Sequence, residues 1–378
     1  MQNKIVINVG TLSSFNNFRY NITSALEQLK NIYISDKKKL DVIWDLRFVE
    51  SKKMKLNVLT SFLAVARQVR KYLGHAPTTV INWDPYVLQF WRDISFLSVA
   101  DDNDLFAWQD GMIGGMENYK FNPHNKITYF EDDSEKIFPD IISLENWKGR
   151  KRLEIGEKLL NRFEHIINNR SFEERNNLRL RNVLSDTCAE LIVNSLLHGK
   201  EIAFIGMQRT KAGISICISD GGVGFLTGLN NNQTWAKEIG LKKSSDAILN
   251  ASLLKLSEYE NLDELNHDEI RNSRHIGLLS AINDVLRSGG FVSIHSADAE
   301  IRWELPLWNL CLNNFDKDNF RINLQTVENV IGGHPDFPIS LEEYYQGYYR
   351  IFRTELKGSI VSFEIPNKIH PLRQHDAI

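Results

Sequence analysis

The sequence predicts an α/β protein made of two units, a smaller N-terminal one and a larger C-terminal one. In the first 110 residues, short apolar runs alternate with amphipathic helical patterns, which is typical of strands joined by helices. Farther along, a long helical pattern is followed by a strand that ends in a glycine-rich turn. With 378 residues, of which 42% are hydrophobic, the chain is long enough to bury two cores.

The first unit is predicted to span residues 1–110. Its predicted elements are, in order, a strand at 4–9, a helix at 18–32, a strand at 40–46, a helix at 56–73, a strand at 78–83 and a helix that begins at Asp84-Pro85. Proline suits the first turn of a helix, where its missing N–H has no partner to lose. The alternation of strands and helices indicates a sheet that is at least partly parallel.

Residues 111–150 are interpreted as a linker, because glycine and proline interrupt the periodicity there. A short strand is expected within the linker, at 126–130. Helical patterning resumes at 156–167 and again at 176–197, so the second unit is predicted to span 151–378.

Three polar side chains share one face of the second of these helices. Glu190, Asn194 and His198 follow one another at intervals of four residues, whereas apolar neighbours take the rest of the circumference. Burying a carboxylate and an amide without partners costs several kcal/mol, so this stripe is either satisfied by neighbouring groups or faces a ligand. His198 lies at the C-terminal end of the helix, where a histidine interacts favourably with the helix dipole. We therefore interpret its role as structural.

A strand with alternating isoleucines follows this helix. It ends at Asp220, directly before the turn Gly221-Gly222-Val223-Gly224. Glycine permits positive φ in such a turn and lets a ligand lie against the backbone. A carboxylate at the strand end can accept hydrogen bonds from an exocyclic amine or from water.

In this order, the two motifs resemble the asparagine box and the first glycine box of the GHKL ATPase superfamily, which includes gyrase, MutL and sensor histidine kinases. The resemblance covers about half of the chain and implies a two-layer α/β sandwich that binds ATP and Mg²⁺. It implies that Asn194 binds the Mg²⁺ and that Glu190 orients and deprotonates the attacking nucleophile. It also implies that Asp220 binds the adenine amine, while Gly222 and Gly224 admit the nucleotide.

Two further segments extend the resemblance. The second glycine box of the family, a G-x-G-L pattern at a helix start, is matched by Gly277 and Leu278, whereas His275 stands in the place of the first glycine. The histidine in place of a glycine puts the expected geometry of the phosphate-binding loop in question. Arg274 is a candidate cation for the terminal phosphate. Ser359 lies on a predicted strand, where the family usually has threonine.

The N-terminal pattern resembles the STAS fold of anti-sigma-factor antagonists, with Asp45-Leu46 at the end of the central strand. The resemblance implies a smaller STAS-like α/β domain before the GHKL-type one. Phosphorylatable STAS domains carry a serine in the turn that follows the central strand. The corresponding turn here is 50–56, where Ser51 is followed by lysines, and an unmodified surface turn is the better interpretation.

Two long segments of the second unit are interpreted as insertions. Residues 225–273 lie between the glycine boxes, where the GHKL family has its ATP lid. Residues 307–353 are rich in aromatic side chains. These aromatic side chains are expected to pack back on the sheet in preference to forming an interface.

The composition is that expected of a cytoplasmic globular protein. A net charge of -3 gives no reason to expect a nucleic acid as partner, and no apolar run approaches membrane-spanning length, so no membrane association is expected. Cys188, Cys217 and Cys311 are scattered, so neither a disulfide framework nor a zinc site is expected.

The sequence leaves several activities open. The first is an ATPase that uses Mg-ATP and whose lid closure regulates the docking of the N-terminal unit, of a protein partner or of a second copy. The runner-up is a protein serine kinase of the anti-sigma-factor type, with the N-terminal unit as a fused antagonist. A histidine kinase ranks third, because the flanks of His165 do not resemble those of a phosphorylated histidine. A degenerate GHKL fold that no longer binds nucleotide is the structural alternative.

Overall fold

The computed structural model describes residues 4–32, 40–50, 52–81, 84–108, 124–132, 140–168, 180–199, 201–232, 240–253, 278–313 and 349–367. Within these ranges the protein is a mixed α/β structure with two separate sheets, one parallel and one antiparallel. Among the helices described, none is both long enough and apolar enough to cross a membrane.

Three parallel strands form the sheet of the N-terminal unit. The strands are β1 (Lys4–Asn8), β2 (Asp41–Leu46) and β3 (Thr78–Ile81), and β2 lies between the other two. The helices are α1 (Phe15–Lys30), α2 (Leu56–Leu73), α3 (Pro85–Asp93) and α4 (Phe96–Asp102). The predicted alternation of strands and helices is confirmed, and the strands run parallel because each connection crosses back over the sheet.

Local sequence signals set the ends of these helices. The Ser14 side chain accepts a hydrogen bond from the N–H of Asn17 at 3.2 Å, and the Asp84 side chain accepts one from the N–H of Tyr86 at 2.9 Å. Polar caps therefore begin α1 and α3. Gly74 ends α2 in the left-handed conformation, with a φ of 80°.

Five antiparallel strands form the sheet of the C-terminal unit, in the order β4-β5-β6-β8-β7. The strands are β4 (Asn125–Phe130), β5 (Ala203–Arg209), β6 (Gly213–Asp220), β7 (Phe291–Trp303) and β8 (Tyr349–Pro366). The helices are α5 (Ile141–Ile167), α6, α7 (Gly224–Asn232), α8 (Ser244–Leu253), α9 (Leu278–Arg287) and α10 (Leu305–Asn313). The helix α6 is made of three consecutive segments, the first and last with the wider π-helical turn: Val183–Cys188, Ala189–Asn194 and Ser195–Gly199.

Helices cover both faces of the antiparallel sheet. On one face, α5, α6 and α9 pack around a core that includes the fully buried side chains of Phe163, Ile192 and Phe363. On the other face lies α2 of the N-terminal unit, and Phe204 of β5 belongs to the same hydrophobic cluster as Phe62 of α2. The two-layer sandwich expected for the C-terminal unit therefore has a third layer, which the N-terminal unit supplies.

The contact between α2 and the antiparallel sheet is closest at Gly206. A β-carbon added at this glycine of β5 would lie 2.3 Å from the Thr60 hydroxyl oxygen and 3.3 Å from the Leu56 side chain. One strand farther, the Ser219 hydroxyl donates to the Thr60 carbonyl oxygen at 2.8 Å, and both residues are buried. Small and polar residues therefore hold α2 directly against β5 and β6.

Two strands of this sheet, β5 and β7, do not stand out in the sequence. Almost every residue of β5 is buried, because the strand lies between α2 and the helices of the opposite face, and it lacks the alternation of a half-exposed strand. In β7, a bulge around Ala297, which has a φ of 52°, shifts the alternation partway along the strand. The predicted linker at 111–150 contributes β4 and the first turns of α5.

We expect Gly206→Ala to destabilise the protein by about 1–3 kcal/mol, the usual range for forcing an extra methyl group into a packed interior. The reason is the collision with Thr60. Gly149→Ala is the matched control, because Gly149 lies within α5 and a β-carbon there meets nothing within 4 Å. Alanine at that helical position should stabilise by roughly 0.5–1 kcal/mol. Urea unfolding measures both, and equal midpoints for the two variants would contradict the close packing of α2.

Candidate functional site

A buried carboxylate lies where β6 ends. Asp220 is 5% exposed and receives hydrogen bonds from three parts of the C-terminal unit. Its Oδ2 accepts from the Ser195 hydroxyl of α6 at 3.0 Å and from the Ser359 hydroxyl of β8. Its Oδ1 accepts from the N–H of Gly222 at 2.8 Å. These four residues, called the Asp220 cluster here, join the strand end to its neighbouring strand, to the glycine turn and to α6.

Burial raises the pKa of the Asp220 carboxyl above its ordinary value, although the hydrogen bonds from Ser359, Gly222 and Ser195 act in the opposite direction. The loss of water therefore outweighs the donation of hydrogen bonds by protein groups. A carboxylate accepts about four hydrogen bonds, and the backbone N–H of Ser359 adds to the donors of the two hydroxyls and Gly222. The protein thus satisfies this carboxylate internally, as a buried polar group requires.

The helix α6 contributes Ser195 to the cluster, at the start of its last, π-helical segment. Ser195 begins the last segment of α6, directly after Asn194. The Ser195 hydroxyl lies 3.0 Å from the Leu191 carbonyl oxygen and 3.0 Å from Asp220 Oδ2, so one proton has two acceptors within reach. Single π turns inside helices occur frequently at functional sites, and Ser195 stands at the start of one.

Glu190 and Asn194, the predicted polar stripe, are both partly buried on α6. A Glu190 carboxylate oxygen lies 3.7 Å from a guanidinium nitrogen of Arg152 on α5, and each of the two side chains is 20% exposed. This ion pair connects α6 to α5. Asn194 immediately precedes Ser195, which puts its backbone next to the Asp220 cluster.

Two glycines let the backbone close tightly around the cluster. Gly224 begins α7 with a φ of 75°, and a β-carbon there would lie 2.7 Å from the Ser296 hydroxyl oxygen. That oxygen accepts from the N–H of Phe225 at 2.9 Å and so caps α7. Gly358 has a φ of 90°, and a β-carbon there would lie 2.0 Å from the Asp220 carbonyl oxygen. Neither position accommodates a side chain.

The helix α2 occupies the opposite face of the sheet beneath the cluster. The Gln68 amide nitrogen donates to the Lys357 carbonyl oxygen at 2.7 Å. A β-carbon at Gly221 would lie 2.9 Å from Cγ of the same glutamine. Because Gly221 follows Asp220 and Lys357 lies two residues before Ser359, the N-terminal unit contacts both strands that carry the cluster.

Other predicted site residues lie apart from the cluster or outside the described ranges. Leu278 begins α9 and packs against the hydrophobic core. Outside the described residues lie Arg274, His275, Gly277, Ser51 and the side chain of His198. Of the two predicted insertions, the structure describes 225–232 and 240–253 of the first, and 307–313 and 349–353 of the second.

The sequence did not single out two serines of this region, Ser195 and Ser296. The four-residue spacing of the polar stripe points to Asn194 and passes over its neighbour Ser195, because a regular helix would turn that neighbour away. Ser296 lies in β7, which was not predicted. A signal existed for Ser195, since a small hydroxyl residue follows directly after the predicted ligand residue in the same helix.

The described cysteines and acidic residues do not form a metal site. Cys188 and Cys217 are buried free thiols. Burial raises the pKa of both, that of Cys217 to about 11, so they are core thiols and not thiolates. In the described part of the chain, no three His, Cys, Asp or Glu side chains lie together in a group that could hold a metal ion.

We expect the wild type to lose stability relative to Asp220→Asn as the pH rises. The folded-state pKa of Asp220 is raised above its ordinary value of 3.8. The neutral carboxyl therefore contributes to the free energy of unfolding fully below pH 3.8, and this contribution is lost as the pH rises through the raised pKa. Asp140→Asn is the control of opposite sign, because a hydrogen bond from the Ser143 N–H lowers the pKa of Asp140. The contribution of Asp140 is present above 3.8 and is lost as the pH falls.

Urea unfolding of the three proteins from about pH 3 to pH 7 measures both differences. If the stabilities of Asp220→Asn and Asp140→Asn, each relative to the wild type, changed with pH in the same direction, this would contradict the burial of Asp220.

Comparison of the chain with protein-family models, with curated proteins and with solved structures found no match. These comparisons therefore add no relative to the GHKL or the STAS resemblance. The fold and the Asp220 cluster are the features on which a functional proposal rests.

Proposed function

We propose that this protein binds Mg-ATP beside the Asp220 cluster and that it is a GHKL-type ATPase. In this proposal, closure of the lid at residues 225–273 regulates the docking of the N-terminal unit or of a protein partner. The observation that carries the proposal is the meeting of Ser195 from α6 and Ser359 from β8 on one carboxylate, Asp220. The same helix, strand end and last strand are the elements to which the sequence resemblance assigns nucleotide binding.

The hydrogen bonds of Asp220 suit an exchangeable donor. The Ser195 hydroxyl has a second acceptor, the Leu191 carbonyl oxygen, at the same distance of 3.0 Å. It can therefore turn away from Asp220 without losing a hydrogen bond. An adenine amine can then take its place on the carboxylate. Gly222 favours the approach of a ring because it carries no side chain. The space beside Gly224 is instead occupied by the Ser296 hydroxyl, so Gly224 shapes the turn and does not contact the ring.

Asn194 and Glu190 supply groups that suit phosphate chemistry. Mg²⁺ prefers oxygen ligands and keeps several waters, so one amide oxygen from Asn194 is an adequate contribution by the protein. Glu190, held 3.7 Å from Arg152, is a carboxylate one turn away that can orient a water molecule and accept its proton. Arg274 and Gly277 keep the phosphate-binding roles that the resemblance implies. Mg-ATP, when bound, supplies the electrophilic phosphorus, whereas these residues position the nucleophile.

The position of α2 supports a regulatory role for the nucleotide. The Gln68 side chain of α2 contacts the chain beside Asp220 and, through Lys357, beside Ser359. A movement of these two strands on nucleotide binding would change the packing of α2, which belongs to the core of the N-terminal unit. Closely packed interfaces pass on such small shifts because they cannot deform continuously.

Two other activities use the same residues. A protein serine kinase of the anti-sigma-factor type would transfer the phosphoryl group to a hydroxyl, with Glu190 as the base and the N-terminal unit as a fused antagonist. A degenerate interaction module is favoured by one observation, the internal satisfaction of Asp220 at 5% exposure. In that case the cluster fastens α6 to the sheet and binds no ligand.

Isothermal titration with Mg-ATP tests the proposal. We expect the wild type to bind with a micromolar to millimolar dissociation constant, the ordinary range for a reversible nucleotide site. Asp220→Ala should abolish detectable binding, because it removes the acceptor for the adenine amine. Asp45→Ala is the matched control, since Asp45 is also a buried carboxylate at a strand end but lies in the parallel sheet, 2.8 Å from Arg47.

The control should bind Mg-ATP as the wild type does, and both variants should show a cooperative thermal transition above the titration temperature. Ser195→Ala should also bind, because the proposal has its hydroxyl leave Asp220. A folded wild type that shows no binding at millimolar ATP would contradict the proposal and leave the degenerate module as the explanation of the cluster.

Hydrolysis separates the roles of the two stripe residues. We expect Glu190→Ala to lose most phosphate release while it keeps ATP binding, because a base acts in the transition state. Asn194→Ala should weaken ATP binding when Mg²⁺ is present and change it little when EDTA has removed the metal. Turnover should be slow, since the lid must close before the site excludes water. Phosphate release is measured beside titration, and equal release by wild type and Glu190→Ala would exclude Glu190 as the base.

A further inference from the structure

A cleft lies along the outer edge of β4 and is called the β4 cleft here. Its volume is about 450 Å³, and residues of α4 in the N-terminal unit and of α5 in the C-terminal unit form its walls. β4 is the edge strand of the antiparallel sheet, with β5 on its inner side. This volume is typical of small-molecule sites, which occur preferentially where two structural units meet.

Arg162 provides a fixed cation in the β4 cleft. One of its nitrogens, Nη1, donates to the Thr128 hydroxyl and to the Tyr129 carbonyl oxygen, at 2.7 Å each. Its guanidinium carbon lies 4.6 Å from the centre of the Phe130 ring. These contacts fix the guanidinium plane, and in the described part of the chain Nε and Nη2 make no further hydrogen bond. A fixed guanidinium with donors to spare suits an oxyanion.

Lys126 places a second cation next to the first. Burial lowers the pKa of Lys126, and repulsion from the Arg162 cation lowers it further. Burial also lowers the pKa of Arg162. Both residues line the same cleft, so their charges repel each other and an anion bound in the cleft would offset that repulsion.

The rest of the lining is polar and of both signs. Thr128 accepts from Arg162, so its own hydroxyl proton is available to a ligand. Lys158 lies one turn before Arg162 on α5, half exposed and paired with Glu154. The carboxylates of Asp102 and Glu131 also line the cleft, and with burial they raise the pKa of the Tyr129 hydroxyl. The cleft therefore offers acceptors as well as cations.

An added peptide strand does not suit this edge of the sheet. The N–H of Ile127 donates to the Ile94 carbonyl oxygen at 2.8 Å, and the Tyr129 carbonyl oxygen accepts from Arg162. These are outward-facing backbone groups of β4 that a further strand would need. The corner between α3 and α4 and the side chain from α5 already occupy them, which leaves the cleft to a small ligand.

We propose that the β4 cleft binds a small phosphate monoester, with the phosphate between Lys126 and Arg162. A phosphate dianion matches the two cations and accepts from the Thr128 hydroxyl as well. The organic part then lies toward Asp102 and Glu131, whose carboxylates accept hydrogen bonds from its hydroxyl or amino groups. Because α4 and α5 belong to different units, the ligand fastens the N-terminal unit to the C-terminal one.

Phosphorus NMR with inorganic phosphate tests this site. We expect the ³¹P signal to broaden saturably with wild-type protein, with a millimolar dissociation constant. Lys126→Gln should weaken binding roughly tenfold, because it removes one of two charge-assisted contacts. Arg162→Lys, which keeps a charge, should retain part of the binding. Lys242→Gln is the matched control and should bind normally, because Lys242 is exposed and precedes α8, which packs on β7 at the far edge of the sheet.

Two further measurements separate this site from the nucleotide site and from general anion binding. Asp220→Ala should keep its phosphate affinity even though it loses ATP. Phenyl phosphate should displace phosphate at lower concentration than acetate does at matched ionic strength, since acetate carries one charge. Equal phosphate binding by wild type and Lys126→Gln, or equal displacement by acetate and phenyl phosphate, would overturn the proposal.

Discussion

The rest of the structure depends on the burial of α2 between two sheets. A helix that is buried on nearly all sides belongs to the interior of a protein, and twelve residues of α2 are buried. Its polar members do not need water, because the Thr60 hydroxyl donates to the Leu56 carbonyl oxygen and the Ser61 hydroxyl to the Asn57 carbonyl oxygen, at 2.8 Å each. The parallel sheet uses one side of α2 and the antiparallel sheet the other, so each sheet would expose an apolar face without this helix.

The same constraint positions the Asp220 cluster. Asp220 ends a strand that has α6 on one face and α2 on the other, so water is excluded from both sides. A carboxylate in that place must find its hydrogen bonds within the protein, and Ser195, Ser359 and Gly222 donate them. The close approach of α2 at Gly221 then ties the N-terminal unit to the turn that carries the cluster.

The sequence predicted elements whose signal is local and missed features that depend on distant partners. The strand that ends at Asp220 was predicted from alternating apolar residues and the glycine turn that follows them. Both signals are close together in the sequence. Ser359 lies on a strand, β8, as the local apolar pattern predicted. By contrast, β5 is uniformly buried and has a glycine at position 206 because α2, about 150 residues earlier in the chain, packs against it. No local sequence pattern indicates this contact between α2 and β5. Ser195 was missed because its role depends on Asp220, which lies 25 residues farther along the chain.

The chemistry of the cluster argues against a role in fastening alone. Burial raises the pKa of Asp220, so the ionised form of this carboxyl is less favourable in the folded protein than it is in water. An asparagine or threonine at the strand end could link α6 to β8 without that penalty. The Ser195 proton has two acceptors within reach, the Leu191 carbonyl oxygen and Asp220. The serine can therefore leave the carboxylate and still donate a hydrogen bond, a feature that a fixed fastening does not require. A buried carboxylate with one replaceable donor is an arrangement that suits the exocyclic amine of the nucleotide that we propose as ligand.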